Sequence, residues 1–231
     1  MLGAGARRDA TRGRCGLARQ DRAERTRNAI LDAAAEVFDE RGFDGASLSD
    51  ILARAGVTKG ALYFHFSSKE DLARALVSEQ WGAIDTPLSE EAGLQDVIDM
   101  SHALAHSMWT NVRVRAGNRL VIEANFASPE AAVYERWIDI VDELLVKAKR
   151  RGDLRQEWDT RDVANWVSAT FMGVQTQSAV LTGRDDVHER LTIMWRIALP
   201  GLVPPRRVAR FVPAGTITWD SEPSSTAAAT A

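Results

Sequence analysis

Residues 57–72 read VTKGALYFHFSSKEDL, a mixture of lysine, glycine, tyrosine, histidine and phenylalanine that is unlike a plain core helix. Thr58 is a good N-cap, and the residues after it predict a helix of about two turns. In that helix Lys59 and Tyr63 lie at positions i and i+4 and share one face. Gly60 lies close to them and has no side chain, so the backbone can approach a partner there. The stretch therefore indicates a helix whose surface contacts another molecule.

The residues before this stretch predict two further helices. The first, over residues 21–42, carries a stripe of apolar side chains at helical spacing, and Gly42 ends it. Ser47 caps the second helix, and Gly56 ends it. Two helices joined by a glycine turn make residues 47–66 a candidate helix-turn-helix, with the first helix as its support.

Helical periodicity continues through the rest of the chain, and no alternating run competes with it as a strand. Ser67 or Ser68 caps a fourth helix that passes Gln80, and Pro200 is predicted to stop the last helix. The other helices are expected over residues 94–110, 112–125, 129–151, 160–182 and 185–199. The sequence therefore predicts an all-α fold.

Charge is unevenly distributed along the 231 residues, whose net charge is −3. Residues 1–69 carry 12 Lys and Arg against 9 Asp and Glu, a net +3, so residues 70–231 sum to −6. A basic end on an acidic body allows a nucleic-acid site at that end. Cys15 is the only cysteine, and neither an apolar stretch of about 18 residues nor a secretory h-region is visible. We therefore expect a cytoplasmic protein with no membrane contact.

The side chains of the short third helix have the chemistry that duplex DNA requires. Lys59 can reach a guanine edge or a phosphate, and Tyr63 can donate to a phosphate and lay its ring against a thymine methyl. Thr58 offers a hydroxyl near the start of the helix, and His65 and Lys69 can hold phosphates near its far end. The alternative is a small helical hairpin with a solvated lysine.

Residues 25–72, RTRNAILDAAAEVFDERGFDGASLSDILARAGVTKGALYFHFSSKEDL, closely resemble the DNA-binding domain of tetracycline-repressor-type (TetR) regulators. The resemblance implies an all-helical, homodimeric repressor whose third helix enters the major groove and whose larger C-terminal domain binds an inducer. On that pattern the recognition-helix contacts are Thr58, Lys59, Gly60, Tyr63 and His65, and the flanking phosphate contacts are Thr26, Ser47 and Lys69.

Four further stretches resemble the γ-butyrolactone autoregulator receptors of actinomycetes, a group that includes the butenolide receptors. They are ARQDRAERTR (18–27), TNVRVRAGNRL (110–120), YERWIDIVDELL (134–145) and ATFMGVQTQS (169–178). Such receptors repress antibiotic-production genes until a small lactone hormone arrives. The resemblance implies that Trp137 walls a ligand pocket and that Thr170 and Gln80 supply polar contacts.

A pocket for a small apolar lactone needs an aromatic and aliphatic lining with a few placed hydrogen bonds. Five of the seven tryptophans lie on predicted body helices, and Trp109, Phe171 and Val174 are candidates for the lining. The alternative is that Trp137 is simply a core residue and that the Thr170 hydroxyl bonds to its own helix backbone.

These inferences divide the chain into four segments. The expected segments are a disordered basic arm, a helix-turn-helix DNA-binding domain, a larger helical ligand-binding and dimerisation domain, and a disordered tail, over residues 1–18, 19–67, 68–212 and 213–231. The last two long helices have more apolar positions than one helix face needs, and in the family this pair forms a four-helix dimer bundle. A dimer implies a pseudo-palindromic operator with half-sites roughly 34–36 Å apart.

No motif for catalysis or phosphate binding is visible, so no catalytic residue and no cofactor are predicted. His102 and His106 lie at i and i+4, but no third ligand is evident, and no metal is predicted. The leading hypothesis is a repressor that a γ-butyrolactone or butenolide releases from double-stranded DNA. The alternatives are a pseudo-receptor of the same fold that answers to an antibiotic or another ligand, and an architectural DNA-binding protein without a ligand.

Overall fold

The computed structural model describes residues 6–82, 89, 91–123 and 129–218, and the side chains of residues 20–79, 89, 91–123 and 135–218. This described part is helical and contains no β-strand, which confirms the predicted all-α class. The helices are α1 (Ala6–Gly45), α2 (Leu48–Ala55), α3 (Lys59–His65), α4 (Lys69–Gly82), α5 (Leu94–Thr110), α6 (Val112–Ile122), α7 (Pro129–Arg150), α8 (Thr160–Thr182) and α9 (Val187–Leu202), followed by a 3₁₀ helix over Pro205–Arg210. They form two compact units, one of α1–α4 with α6 and one of α5 with α7–α9.

The first unit is built around α1, against which α2, α3, α4 and α6 pack. Its core consists of buried aliphatic and aromatic side chains, among them Ile30, Leu31, Val37, Phe38, Ile51, Leu62, Leu72, Leu76 and Leu120. Burying one such side chain stabilises the fold by about 1.5–3 kcal/mol relative to leaving it exposed. The short helices α2 and α3 are therefore held in place by the long helix α1.

Gly42 interrupts α1, in agreement with the predicted end of the first helix. Its φ of 70° and ψ of −179° lie in a region that essentially only glycine adopts. The Glu123 carboxylate, directly after α6, accepts a hydrogen bond from the Phe43 backbone N–H at 2.9 Å. The glycine therefore lets the chain leave α1, and α6 brings a partner for a backbone donor that the helix no longer satisfies.

Arginines of α6 pair with acids of α1 and α4. Arg113 Nε lies 2.6 Å from Asp32 Oδ1, and its Nη1 lies 3.0 Å from Glu79 Oε2. Arg115 Nε lies 2.7 Å from Asp39 Oδ2. Partly exposed pairs of this kind stabilise by about 0–1 kcal/mol each, so they fix the position of α6 more than they strengthen the core.

The boundaries of the first unit differ from the expected domain boundaries. Helix α1 begins at Ala6, so residues 6–18 continue a helix where the sequence suggested a separate arm. Arginine and alanine, which are frequent in this segment, favour helix. The unit that contains the expected DNA-binding segment 19–67 also contains residues 69–82 and 112–123, because α4 and α6 pack on α1.

The second unit packs α5, α7, α8 and α9 together. Trp195 of α9 is fully buried, and its indole Nε1 donates to Ser101 Oγ of α5 at 2.9 Å. Asp186, just before α9, accepts hydrogen bonds from the hydroxyls of Ser178 and Thr182 on α8 at 2.6 and 2.7 Å. These two bonds are the main reason why the pKa of Asp186 is lowered to about 2. The buried Trp195 thus fixes α9 against α5, and the Asp186 carboxylate fixes the start of α9 against α8.

Most helix ends of this unit agree with the predicted ones. Helix α8 spans the predicted residues 160–182, and Gly183 ends it in the left-handed conformation. The prediction that Pro200 stops the last helix is wrong, because α9 continues to Leu202. A proline this close to the end removes one backbone hydrogen bond, and the Val203 N–H still donates to the Leu199 carbonyl at 2.9 Å.

The segment after the 3₁₀ helix lies along α5, although its composition suggested disorder. The side chains of Gln95 and Asp99 accept hydrogen bonds from the backbone N–H groups of Val212 and Thr216, at 2.9 and 2.8 Å. Composition cannot reveal such a contact, because the acceptors lie more than a hundred residues away in the sequence. The rest of the expected tail, residues 219–231, lies outside the described residues.

Three histidines cluster in the second unit. Nε2 of His102 donates to the Pro213 carbonyl at 3.0 Å, so in the neutral ring Nδ1 carries no proton and accepts from Nδ1–H of His188, also at 3.0 Å. The ring of His106 lies 5.8 Å from that of His188. Burial lowers the pKa of His102 and His106, and burial with these two neighbours lowers that of His188 to about 4. The cluster is therefore neutral at pH 7, and both ring nitrogens of His102 are used in hydrogen bonds.

We expect Gly42→Ala to lower the unfolding free energy by about 1–3 kcal/mol, because a side chain would force a strained backbone conformation. The new Cβ would also lie 2.6 Å from Glu123 Oε2. The matched control is Gly45→Ala, where a Cβ would meet Arg41 Cβ at an ordinary 3.4 Å. Urea unfolding of the two variants measures the difference, and equal stabilities would contradict the assigned role of Gly42.

We expect the unfolding free energy to decrease as the pH falls from about 6.5 to about 4. In the unfolded chain an imidazole has a pKa of about 6.5, whereas the pKa of folded His188 is about 4. The unfolded state therefore binds more protons in this window, and the stabilisation is complete only above it. Urea unfolding at about pH 7.5 and about pH 5 should show that His188→Leu reduces this dependence by on the order of 1 kcal/mol. The matched control is His65→Leu, which leaves the cluster intact.

Candidate functional site

Helices α2 and α3 form the predicted helix-turn-helix, and its caps are confirmed. The Ser47 hydroxyl accepts from the Asp50 backbone N–H at 3.2 Å and caps α2. Gly56 adopts the left-handed conformation (φ 63°, ψ 30°) that ends α2. The Thr58 hydroxyl accepts from the Ala61 backbone N–H at 3.2 Å and caps α3. Local sequence signals therefore fix where both helices begin and where the turn between them lies.

Helix α3 has one buried side and one exposed side. Leu62 is fully buried and Phe66, directly after the helix, is 4% exposed. The exposed side carries Thr58, Lys59, Gly60, Tyr63 and Phe64. Burial of Leu62 against the rest of the first unit thus directs the opposite side of α3 to the outside.

The exposed side of α3 combines a cation, two aromatic rings and a glycine. Lys59 Nζ lies 5.8 Å from the centroid of the Tyr63 ring. Phe64 is 76% exposed, and its ring meets that of His65 edge to face at 4.9 Å. No atom lies within 4 Å of a Cβ built on Gly60, so this position is open. Phe64 was missed in the sequence, although its i+4 spacing from Gly60 could have placed it on this side.

The residues expected to contact phosphates beside α3 form hydrogen bonds with backbone groups of the first unit. The Thr26 hydroxyl donates to a backbone carbonyl one turn earlier at 2.9 Å, and Ser47 caps α2. The Lys69 ammonium donates to the carbonyls of Phe43 and Ala46 at 2.7 and 2.9 Å. Lys69 therefore anchors the link between α1 and α2, and its contact with a phosphate stays a prediction.

An aromatic pair lies between α7 and α8 in the second unit. Trp137 and Phe171 are buried, at 4% and 2% exposure, with ring centroids 6.2 Å apart. Thr170 precedes Phe171 on α8 and Val174 follows it by three residues, and both side chains are half-buried. The Thr170 hydroxyl donates to the backbone carbonyl four residues earlier at 2.8 Å. This bond uses the hydroxyl proton and leaves the oxygen as an acceptor.

Trp109 and Gln80, the other two residues expected to line the ligand pocket, do not belong to the aromatic pair. The Trp109 ring meets those of His106 and His188, with centroids 6.2 and 6.4 Å apart. The backbone of Gln80 belongs to α4, but its side chain lies outside the described residues. The structure thus brings Trp137 and Phe171 together and puts Trp109 in contact with the histidine cluster.

Helices α8 and α9 expose several large apolar side chains. A shallow groove of about 390 Å³ lies between the start of α8 and the end of α9, and Trp158, Trp166 and Ile197 are among its lining residues. Folded monomers rarely expose large contiguous apolar patches, so such a surface indicates contact with another protein. The exposed apolar side chains on these two helices include Trp166, Val180, Leu181, Ile193 and Ile197.

Neither a membrane span nor a metal site is present among the described residues. None of the helices described there is both long and apolar enough to cross a bilayer. No group of three or more His, Cys, Asp or Glu side chains suited to holding a metal ion occurs in the same part of the chain. The features that remain are the exposed side of α3, the buried aromatic pair and the apolar surface of α8 and α9.

Two family models match the chain. Residues 30–76 match the model for bacterial regulatory proteins of the tetR family, and residues 91–204 match the model for the tetracyclin repressor-like C-terminal domain. The first match contains the helix-turn-helix, and the second contains Trp137 and Phe171.

The chain is also similar to individual proteins over most of its length. It is 38% identical to the A-factor receptor protein of Streptomyces griseus over 201 residues, which are 87% of this chain and 72% of that protein. It is 33% identical to CprB of Streptomyces coelicolor solved with its biological operator sequence, with a TM-score of 0.72 and coverage of 85% and 100% of the two chains. It is 34% identical to a solved gamma-butyrolactone receptor (ArpA-like protein), with a TM-score of 0.71 and coverage of 84% and 96%. Because the two model matches cover more than half of the sequence and agree with the observed helices, the chain belongs to the tetR family of bacterial regulatory proteins.

Proposed function

We propose that this protein is a homodimeric transcriptional repressor that leaves its DNA operator when a small lactone of the γ-butyrolactone or butenolide class binds. The observation that carries the proposal is the exposed side of α3, in a chain similar over 85% of its length to a protein solved on its operator. The major groove of B-DNA is about 12 Å wide and admits one helix. A DNA-binding repressor of a bacterium acts in the cytoplasm, where the chromosome is.

In the proposed complex the exposed side of α3 contacts bases and phosphates. Lys59 reaches a guanine edge or a phosphate, Tyr63 donates to a phosphate, and Gly60 lets the helix approach closely. Phe64 adds an apolar ring that suits a thymine methyl or a sugar. The remaining proposed contacts are Thr58 and His65 on the recognition helix and Thr26, Ser47 and Lys69 on phosphates beside it. Because phosphate contacts supply much of the affinity, operator binding should weaken steeply with salt.

The apolar surface of α8 and α9 supports the proposed homodimer. Two copies of this helix pair would form a four-helix bundle and cover the side chains that a single chain exposes. A symmetric dimer presents two recognition helices, so the operator is a pseudo-palindrome with half-sites roughly 34–36 Å apart.

The aromatic pair supports the proposed lactone site. Trp137 and Phe171 supply buried apolar area, and Thr170 keeps an acceptor lone pair for a ligand hydroxyl. Val174 and Trp109 complete the proposed lining, and a contact of Gln80 with the ligand stays a prediction. The similarity to the A-factor receptor and to a gamma-butyrolactone receptor favours a lactone over other small apolar molecules. Antibiotic-biosynthesis genes are the proposed targets.

Release of DNA requires the ligand to bind the released conformation more tightly than the operator-bound one. A difference of about 3 kcal/mol would weaken operator binding roughly 150-fold. The experiment that tests the proposal is a gel shift with the promoter region beside the protein's own gene, with and without γ-butyrolactones and butenolides. Release only by an antibiotic would identify a pseudo-receptor, and DNA binding that no ligand alters would identify an architectural protein.

We expect Lys59→Ala to weaken operator binding about 10- to 100-fold, because it removes a direct contact in the groove. Arg206→Ala is the control, since it removes the same charge from an exposed position on the 3₁₀ helix of the second unit. Fluorescence anisotropy with a labelled operator measures both affinities. An equal loss of operator affinity in the two variants would show that binding depends on net charge and not on the position of Lys59.

Gly60→Ala should separate folding from DNA binding. Alanine favours helix over glycine by about 1 kcal/mol, and the open surroundings accept a methyl group, so the stability should be unchanged or higher. The same methyl should hinder the approach of α3 to the groove and lower operator affinity. Thermal unfolding and anisotropy test the two halves, and a variant with undiminished affinity would remove Gly60 from the interface.

Trp137→Ala should abolish release by a lactone while operator binding is retained, because the ligand loses its largest apolar contact. Truncating a buried tryptophan costs about 3–5 kcal/mol, so circular dichroism must first show that the variant is folded. Trp137→Phe, which keeps an aromatic ring, should release at higher ligand concentration. Trp195→Phe, at another buried tryptophan of the second unit, should release as the wild type does.

A further inference from the structure

Gln175 of α8 is a buried amide that finds no hydrogen-bond partner among the residues whose side chains the structure describes. The residue is 3% exposed, and no described residue forms a hydrogen bond with its Nε2 or its Oε1. The other polar side chains that are buried in the described part of the second unit are hydrogen-bonded, and they are Ser101, His102, Asp153, Ser168 and Ser178. A buried donor and acceptor that stay unpaired destabilise a fold, so Gln175 calls for an explanation.

The position of Gln175 connects it to the aromatic pair. Gln175 and Phe171 lie at i+4 and i on α8, so their side chains share one face of the helix. Phe171 in turn contacts Trp137 of α7. The amide therefore lies on the same buried side of α8 as the proposed ligand-binding residues, one helical turn beyond them.

The chemistry of the amide fits a neutral lactone. A glutamine offers two N–H donors and one carbonyl acceptor and carries no charge. A lactone ring offers a carbonyl acceptor, and a hydroxylated lactone offers an O–H donor as well. A charged side chain in this position would have to be desolvated on folding, whereas the amide can be buried and still recognise both groups.

We propose that Gln175 is the residue that recognises the polar head of the inducer, through an Nε2–H bond to the lactone carbonyl and an Oε1 acceptor for a ligand hydroxyl. This inference rests on the proposed lactone-responsive function and identifies a residue that determines the specificity of its site. The unpaired amide makes the free protein less stable and becomes satisfied when the ligand binds. Binding energy of this kind discriminates strongly, because an analogue without the matching group leaves the buried amide unpaired.

The experiment compares wild type with Gln175→Met, which keeps the length of the side chain and removes both polar groups. Gln177→Met is the matched control, since Gln177 is an exposed glutamine on the same helix. Each protein is titrated with an alkyl γ-butyrolactone that bears a hydroxyl group and with the same lactone lacking it, and tryptophan fluorescence reports binding. Thermal unfolding without ligand is measured in parallel.

We expect the wild type and Gln177→Met to prefer the hydroxylated lactone by about tenfold, the value of one good hydrogen bond. Gln175→Met should lose this preference, bind the hydroxylated lactone about 10- to 100-fold more weakly and unfold at the same or a higher temperature than the wild type. A merely structural glutamine would give the opposite result, a lower unfolding temperature with unchanged preference.

The possible failures are distinguishable. If the wild type binds the lactones and Gln175→Met keeps both affinity and preference, the inference is wrong and the proposed function stands. If the wild type binds neither lactone, the inference is wrong as stated, and the proposed function falls with it only if butenolides also fail to release the operator in the gel shift. If Gln175→Met does not fold, Gln175→Leu is measured in its place, and destabilisation by both substitutions would assign Gln175 a structural role and overturn the inference.

Discussion

A helix of seven residues does not persist in water by itself, so the surface that α3 exposes depends on how the helix is held. Leu62 is buried completely, and the hydroxyl of Thr58 satisfies a backbone donor at the start of the helix. The Phe66 backbone N–H closes the other end on the Leu62 carbonyl at 2.9 Å. Because one side of α3 is fixed in the core, the opposite side must face outward. The exposed side of α3 is therefore a consequence of core packing.

The two units use their polar groups in different ways. In the first unit the Lys69 ammonium holds the carbonyls of the link between α1 and α2, and Arg113 joins α6 to α1 and α4. Such bonds restrict how α3 can be displaced from its support. In the described part of the second unit the Gln175 amide is buried and forms no hydrogen bond. Hydrogen-bonded polar groups suit the rigid support that the proposed DNA contacts of α3 need. A buried polar group without a partner suits the proposed ligand site, because such a site gains stability when its ligand binds.

Much of the architecture could be predicted because it depends on local chemistry. Ser47, Gly56 and Thr58 were identified as caps or helix ends, and each has that role in the structure. Ser67 and Ser68 remained equivalent in the sequence, and the structure selects the Ser68 hydroxyl, which accepts from the Asp71 backbone N–H at 3.1 Å. Local signals failed at Pro200, where one missing hydrogen bond is too small a loss to end a helix whose last turn is otherwise bonded.

The sequence by itself determined the all-α class, the position of the helix-turn-helix and the side of α3 that carries Lys59 and Tyr63, because capping and helical periodicity act over a few residues. Only the tertiary structure decided the exposure of Phe64, the attachment of Val212 and Thr216 to α5, and the burial of the Gln175 amide away from any described hydrogen-bond partner. Each of these depends on which residues that are distant in the sequence become neighbours in the fold. Burial and hydrogen bonding are properties of the folded neighbourhood, and a linear pattern does not contain them.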